Sequence, residues 1–239
     1  MNELRVIDKG VINYEDCRNL QKKIVQKRLC GEISDALILC EHYPVITIGR
    51  KGKPEDLLVS KKFLKEKEVG VYRVERGGEA TYHCPGQLVG YPIFDLQYYG
   101  ADLHKFLRNI EEVIINTLNE IGIKGCRQEG YTGVWVCNNG KFEKIAFIGI
   151  SALKWITFHG FSLNVDCNLT PFSWIVPCGL DGVRVTSVEE VVHPAINESA
   201  DKRASRPIRQ SNSGGEGNLC IVSIENIKKK IVENFKRIF

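Results

Sequence analysis

The pattern of apolar and polar positions changes period along this chain. Residues 14–31, YEDCRNLQKKIVQKRLCG, put Cys17, Leu20 and Ile24 near one helical face, and Gly31 is a natural stop. DALILCEH (35–42) and VITIGR (45–50) read as short strands hinged at Pro44. VGVYRVER (69–76) alternates as a strand, and QLVGYPIFDL (87–96) reads as another, with Pro92 suggesting an edge or a bulge. The clearest helix is DLHKFLRNIEEVIINTLNEIG (102–122), where Leu103, Phe106, Ile110, Ile114, Leu118 and Ile121 keep helical spacing and Gly122 ends it. Then the period becomes two. TGVWVC (132–137), KIAFIGISAL (144–153) and WITFHGFSLNV (155–165) read as antiparallel strands, the first two joined around Asn138, Asn139 and Gly140.

From Asn197 to Asn218 the composition turns to Ser, Gly, Asn, Arg and Lys, the signature of a flexible connection. A final amphipathic helix follows, with Ser223 as N-cap and Ile224, Ile227, Ile231, Phe235 and Ile238 on one face. Strands alternate mainly with strands, so the expected class is α+β with a mixed, largely antiparallel sheet flanked by helices. The expected organisation is one domain over 1–196, a polar linker over 197–218 and a C-terminal helix over 219–239. That helix reads as a surface appendage.

Composition narrows the chemistry. The 239 residues are 43% hydrophobic and 26% charged, an ordinary globular balance with room for a sizeable core. A net charge of +4 is too weak to argue for nucleic acid but favours an acidic protein partner. No apolar run is long enough to span a bilayer, and the first residues lack the apolar core of a signal peptide, so an intracellular protein with reduced thiols is expected.

RGGEATYHCPGQLVGYP (76–92) is the densest cluster of turn chemistry. It contains no GxGxxG or GxxxxGK[ST] and leads from strand to strand without a helix N-terminus, so neither common phosphate-binding turn applies. Two readings remain: backbone amides close to a carbonyl or carboxyl group, with Arg76 and His83 supplying polarity, or a bulged hairpin that is glycine-rich for geometry alone. Among nine cysteines, Cys17, Cys30, Cys40 and Cys137 sit in or beside apolar runs and read as core thiols. No pair has CxxC spacing, which argues against a structural zinc site. Cys178 lies between Pro177 and Gly179, an arrangement that leaves the sulfur open to approach. Its activator is left open by spacing: Lys144, His83 and His159 are all candidates.

These residues resemble the lipoyl(octanoyl) transferases. RGGEATYHCPGQLVGYPI is similar to that family's signature loop, and the likeness continues in order through EHYPVITIGR (41–50), TGVWV (132–136), KIAFIG (144–149), KWITFHGFSLNV (154–165), IVPCG (175–179) and VTS (185–187). The resemblance implies a biotin/lipoate protein ligase-like fold and an acyltransferase moving octanoyl from acyl carrier protein to a lysine of a lipoyl domain, through a thioester on Cys178. It carries the thiol-activating lysine onto Lys144. Substrate contacts fall on Arg76, Gly77, Gly78, Glu79, Ala80, Thr81, Tyr82 and His83, on Phe147, Ile148 and Gly149, and on Gly160, Phe161 and Ser162.

The implied acceptors are lipoyl domains of 2-oxoacid dehydrogenases and the glycine cleavage H protein. No cofactor, metal, nucleic acid or membrane is implied, and a monomer is expected, in bacterial cytoplasm or in a plastid or mitochondrion. The rival readings are an ATP-dependent lipoate–protein ligase and a non-catalytic acyl or lipoyl-domain binding module. One departure stands out: Cys84 occupies a position where the family usually has glycine, and a positive φ there would strain the chain and crowd the acyl pocket. A contact of Lys228, Lys229 and Lys230 with acyl carrier protein is the only role the sequence suggests for the last helix.

Overall fold

A computed structural model describes residues 4–138, 140–176, 183–193 and 223–239. Cys178, Asn139 and the expected linker over 197–218 lie outside the described residues. The frame is a seven-stranded sheet in the order β1-β2-β6-β10-β9-β8-β7. Its strands are β1 (Arg5–Ile12), β2 (Ala36–His42), β6 (Gln87–Ile93), β7 (Gly125–Cys126), β8 (Val134–Asn138), β9 (Lys141–Leu153) and β10 (Ile156–Asn164). Only β1 and β2 pair in parallel; the other pairings are antiparallel, in keeping with the class read from the sequence. A second, three-stranded sheet has the order β4-β3-β5, built from β3 (Val45–Ile48), β4 (Gly70–Arg73) and β5 (Ala80–His83).

Helices cover both faces of the large sheet, which is why β2 and β6 read as nearly unbroken apolar runs. Ile38 and Cys40 of β2 and Val89, Tyr91 and Ile93 of β6 pack with Cys17, Ile24 and Val25 of α1 (Tyr14–Leu29). The alternate residues Leu37, Leu39 and Leu88 join the main core with α3 (Leu103–Asn119). Two short helices, α2 (Lys61–Glu66) and α4 (Val188–Val192), complete the periphery with β1, β5 and β7, all unmarked by sequence period. β1 hides because it is amphipathic only weakly, most of its positions being exposed or half-exposed.

The terminal helix α5 (Ile224–Ile238) corrects the expectation of a surface appendage. Ile227, Ile231 and Phe235 are fully buried in the main core beside α3. Ser223 caps it as expected, accepting from the Asn226 amide. Of the three lysines, Lys228 is buried and donates to Asp8 and Glu225, and Lys230 reaches Glu120. Cys30 and Cys137 are exposed rather than core thiols, one at a helix end and the other at an outward position of β8; Cys17 and Cys40 are fully buried.

Pro92 sits in an interior strand with no register shift, so the expected edge or bulge gives way to a local gap in the hydrogen bonding. The β6–β10 ladder runs from Gln87↔Asn164 to Gly90↔Phe161 and stops before Pro92, which has no N–H to offer. Opposite it His159 (φ +58°) turns its amide to Gln21 Oε1 of α1 at 2.9 Å, and pairing resumes in the same register at Asp95↔Ile156.

Removing the α5 anchor should be costly. Phe235→Ala is expected to lose about 3–5 kcal/mol, lowering Tm by about 10 °C or more in a thermal melt followed by circular dichroism.

Candidate active site

The segment 76–92 is not one loop. Residues 76–79 form a turn, Ala80–His83 form β5, a second turn follows, and β6 starts at Gln87. The first turn is held down by Arg76, whose buried guanidinium donates to Thr47 O (2.7 Å), Thr47 Oγ1 (3.0 and 3.1 Å), Glu79 O (2.8 Å) and Gly77 O (2.9 Å). Those donors serve Thr47 and carbonyls of the turn itself, so Arg76 shapes the wall more than it supplies polarity to a ligand. Main-chain bonds add Gly49 N to Glu79 O, Arg50 N to Arg76 O and Gly77 N to Ile150 O. The approach to β9 is close: a Cβ on Gly149 would stand 2.8 Å from Gly77 O and 3.2 Å from Arg76 Cδ.

Between this turn and the large sheet lies a narrow slot, with about 40 Å³ of free volume, lined mostly by apolar atoms. The structure brings Arg76, Gly77, Gly78, Thr81 and His83 to its wall, with Phe147, Ile148, Gly149, Gly160, Phe161 and Ser162 from β9 and β10. Glu79, Ala80 and Tyr82 do not line it. Alternation along β5 turns Ala80 and Tyr82 into the cluster with Ile46, Phe147 and Phe172. Tyr14, Val89, Tyr91 and His159 also line the slot. Of these, sequence reasoning had raised only His159, and as a rival base; Tyr14 opens an ordinary helix and carries no positional signal.

Thr81 Oγ1 and Ser162 Oγ are buried in the slot wall with no hydrogen-bond partner among the described residues. A hydroxyl left so costs about 1–3 kcal/mol, which a ligand carbonyl would offset. Deeper in, a fixed relay sets the tautomer of His83. Asn164 Nδ2 donates to Thr186 O (2.9 Å), Gln87 Nε2 to Asn164 Oδ1 (2.8 Å), and Gln87 Oε1 accepts from His83 Nδ1 (2.7 Å), leaving the His83 Nε2 lone pair bare of a proton. Burial pushes His83 down to about 3 and His159 to about 4, and holds the Tyr14 hydroxyl up at about 12.

Lys144 is buried, where the sequence alone left a solvated strand terminus as the plain alternative. Two local devices put it there. The β8–β9 register shifts from Val134↔Ala146 to Trp135↔Lys144, so Ile145 is an inserted bulge residue that turns Lys144 inward. Gly133 (φ +120°) makes room, since a Cβ there would lie 2.8 Å from Lys144 Cε. The ammonium then stands 5.2 Å from the ring centres of both Trp135 and Phe147, a cation–π arrangement on the wall residue Phe147. Val176 N is bonded to Asp56 O, and Lys144 N and O are bonded to Arg184 O (2.8 Å) and Thr186 N (3.0 Å).

Residues 13–204 match the lipoyl protein ligase A/B catalytic domain. The chain is 50% identical over 192 residues to an octanoyltransferase of Caldicellulosiruptor saccharolyticus, covering 80% of each, and 47% identical over 213 residues to one of Dictyoglomus turgidum, covering 88% of each. The chain belongs to the octanoyltransferases. The fold agrees. P. falciparum LipL1 in complex with lipoate superposes with a TM-score of 0.69 at 17% identity, covering 99% of this chain and 62% of that one. Lipoate-protein ligase A bound with ATP gives 0.63 at 16%, covering 99% and 85%. Octanoyl transfer for protein lipoylation is therefore the activity of the family, and the slot belongs to an octanoyltransferase.

Cys84 of this octanoyltransferase does not have the strain expected of it. Its φ is not positive; the left-handed residue of that turn is Gly86 (φ +83°). Its side chain is buried with Tyr82, Phe147 and Cys167 and does not line the slot. Cys84→Gly should therefore destabilise the fold by about 2 kcal/mol through lost packing and added chain entropy, without raising transferase activity, as urea unfolding and turnover assays would show.

Acid should weaken the fold through the buried histidines. Above about pH 6.5 both states hold them neutral; below it the unfolded chain binds protons that folded His83 and His159 refuse. Stability should fall from pH 6.5 towards 4, by about 1.4 kcal/mol per pH unit per histidine. In His159→Gln the slope of unfolding free energy against pH should be shallower by about one proton.

Proposed function

We propose that this chain transfers octanoyl groups through a thioester on Cys178, drawing them from octanoyl-acyl carrier protein. The observation that carries this reading is the slot: apolar, glycine-lined, with two buried hydroxyls awaiting a hydrogen-bonding ligand group and a buried lysine on the strand behind it. An acyl tail with one carbonyl matches that combination. Burying the six methylenes of an octanoyl tail contributes up to about 5 kcal/mol at ~0.8 per methylene, an amount that requires the slot to widen or the tail to extend through its mouth.

The Cys178 thiolate, favoured by the Lys144 ammonium, attacks the donor's thioester carbonyl, while the Thr81 or Ser162 hydroxyl steadies the oxyanion. The carrier's thiolate departs and takes a proton from Lys144. The lysine amine of a lipoyl domain then attacks the acyl-enzyme and passes a proton to the now neutral Lys144, restoring the starting pair. Every proton is returned, and the thioester supplies the activation, so the cycle consumes no nucleotide. Lipoyl domains of 2-oxoacid dehydrogenases and the glycine cleavage H protein are the acceptors in this reading, and the enzyme acts as a monomer, in bacterial cytoplasm or in a plastid or mitochondrion. An archaeal relative in fold is described as a bi-partite lipoate protein ligase with its E2 lipoyl domain, which supports a lipoyl-domain acceptor here.

Intact-protein mass spectrometry after mixing with octanoyl-acyl carrier protein, without ATP, tests the route. A hydroxylamine-labile octanoyl adduct is expected on the native chain and none on Cys178→Ala. Lys144→Met should slow acylation by about 10²–10⁴-fold. An unmodified native chain that charges the lipoyl domain only with ATP and free acid would replace this reading with the ligase one.

A further inference from the structure

Cys17 on α1 and Cys40 and His42 on β2 are fully buried and none lines the slot. Their ligand atoms lie within 4.8 Å of one another. Sequence spacing conceals this, because Cys17 and Cys40 are 23 residues apart. The Cys17 and Cys40 sulfurs are 3.9 Å apart, and Cys40 Sγ is 3.6 Å from His42 Nε2. A tetrahedral zinc ion with Zn–S of about 2.3 Å and Zn–N of about 2.0 Å demands edges of about 3.8 Å between sulfurs and about 3.5 Å between sulfur and nitrogen. The Cys17–Cys40 and Cys40–His42 separations match those edges, and Cys17 Sγ lies within 4.8 Å of the imidazole nitrogen.

The imidazole is already oriented for coordination. His42 Nδ1 is 2.9 Å from the Ile12 carbonyl, which can only accept, so the proton is on Nδ1 and the lone pair on Nε2. A backbone carbonyl on the far ring nitrogen is the usual support for a metal-ligating histidine. The Tyr91 hydroxyl is 2.7 Å from Nε2. Charge also closes: one divalent cation with two thiolates, a neutral imidazole and a neutral phenol sums to zero, which a buried site requires.

We propose that Cys17, Cys40 and His42 form a structural site for a tetrahedral divalent cation, zinc by its ligand set, with the Tyr91 hydroxyl as fourth ligand. Binding displaces the two thiol protons to solvent. Tyr91 gives up its hydrogen bond to Nε2 on taking the fourth position. The ion would tie α1 to β2 and, through Ile12 and Tyr91, to β1 and β6. Those elements back the wall in which Tyr14 and Tyr91 face the slot.

The test uses the full chain purified without chelator. Elemental analysis should find about one zinc per chain, retained in Cys178→Ala and absent in Cys40→Ala. Cobalt(II) added to the chelator-stripped native chain should give thiolate-to-metal charge transfer and the visible bands of a tetrahedral ion, both lost in Cys17→Ala. A native chain that is folded and metal-free and shows no charge transfer with cobalt would overturn the proposal, leaving a thiol–imidazole hydrogen-bond chain. Zinc retained in Cys40→Ala would overturn it equally. Should either variant fail to fold, the native elemental analysis and cobalt spectrum decide alone.

Discussion

One buried guanidinium organises the region where chemistry would occur. Arg76 ties the Arg76–Glu79 turn to Thr47 of β3, and so joins the small sheet to the turn that roofs the slot. Each bond from a charged donor to a buried carbonyl is worth about 1.5–3 kcal/mol when its partner would otherwise be orphaned. The requirement propagates outward. The turn can sit this low only because Gly149 presents no side chain beneath it, and Gly149 pairs with Gly160 on the neighbouring strand. A slot whose floor and roof are both backbone is narrow and apolar, with fixed amides and few free charges. That is a poor phosphate site and a good acyl site.

Lys144 is placed by a different constraint, the insertion of one residue into β9. Without the bulge at Ile145, Lys144 and Phe147 would point to opposite faces. With it, the ammonium is set against Phe147, itself a wall of the slot. The placement of Lys144 depends on an irregularity, and the irregularity depends on Gly133 leaving space for the lysine stem.

Regular elements were legible in the sequence, and irregular ones were not. The period of 3.6 marked α3 and α5 because each buries one consistent face, whereas β8, β9 and β10 were legible as apolar strand runs whose central positions are buried on both sides. The depth of α5 escaped notice because amphipathicity reports that one face is apolar without saying what covers it. β5 was hidden inside a glycine-rich motif, and only the pairing of Ala80–His83 with β3 makes it a strand. The motif led to the slot's main wall residues through likeness to a family. Within that motif, alternation along β5 turns Ala80 and Tyr82 away from the slot, and Arg76 donates to Thr47 and to carbonyls of its own turn. The bulge at Ile145 leaves no trace in composition or period, so the burial of Lys144 was beyond sequence reasoning, as was the meeting of Cys17, Cys40 and His42.

Amide hydrogen exchange on Arg76→Met, compared with the native chain, tests the central claim most directly. The account predicts that protection collapses at Gly49, Arg50 and Gly77, whose amides bond across the turn, while β6, β9 and β10 remain protected. Unchanged protection at those three amides would show that the turn stands without its arginine, and would contradict the account.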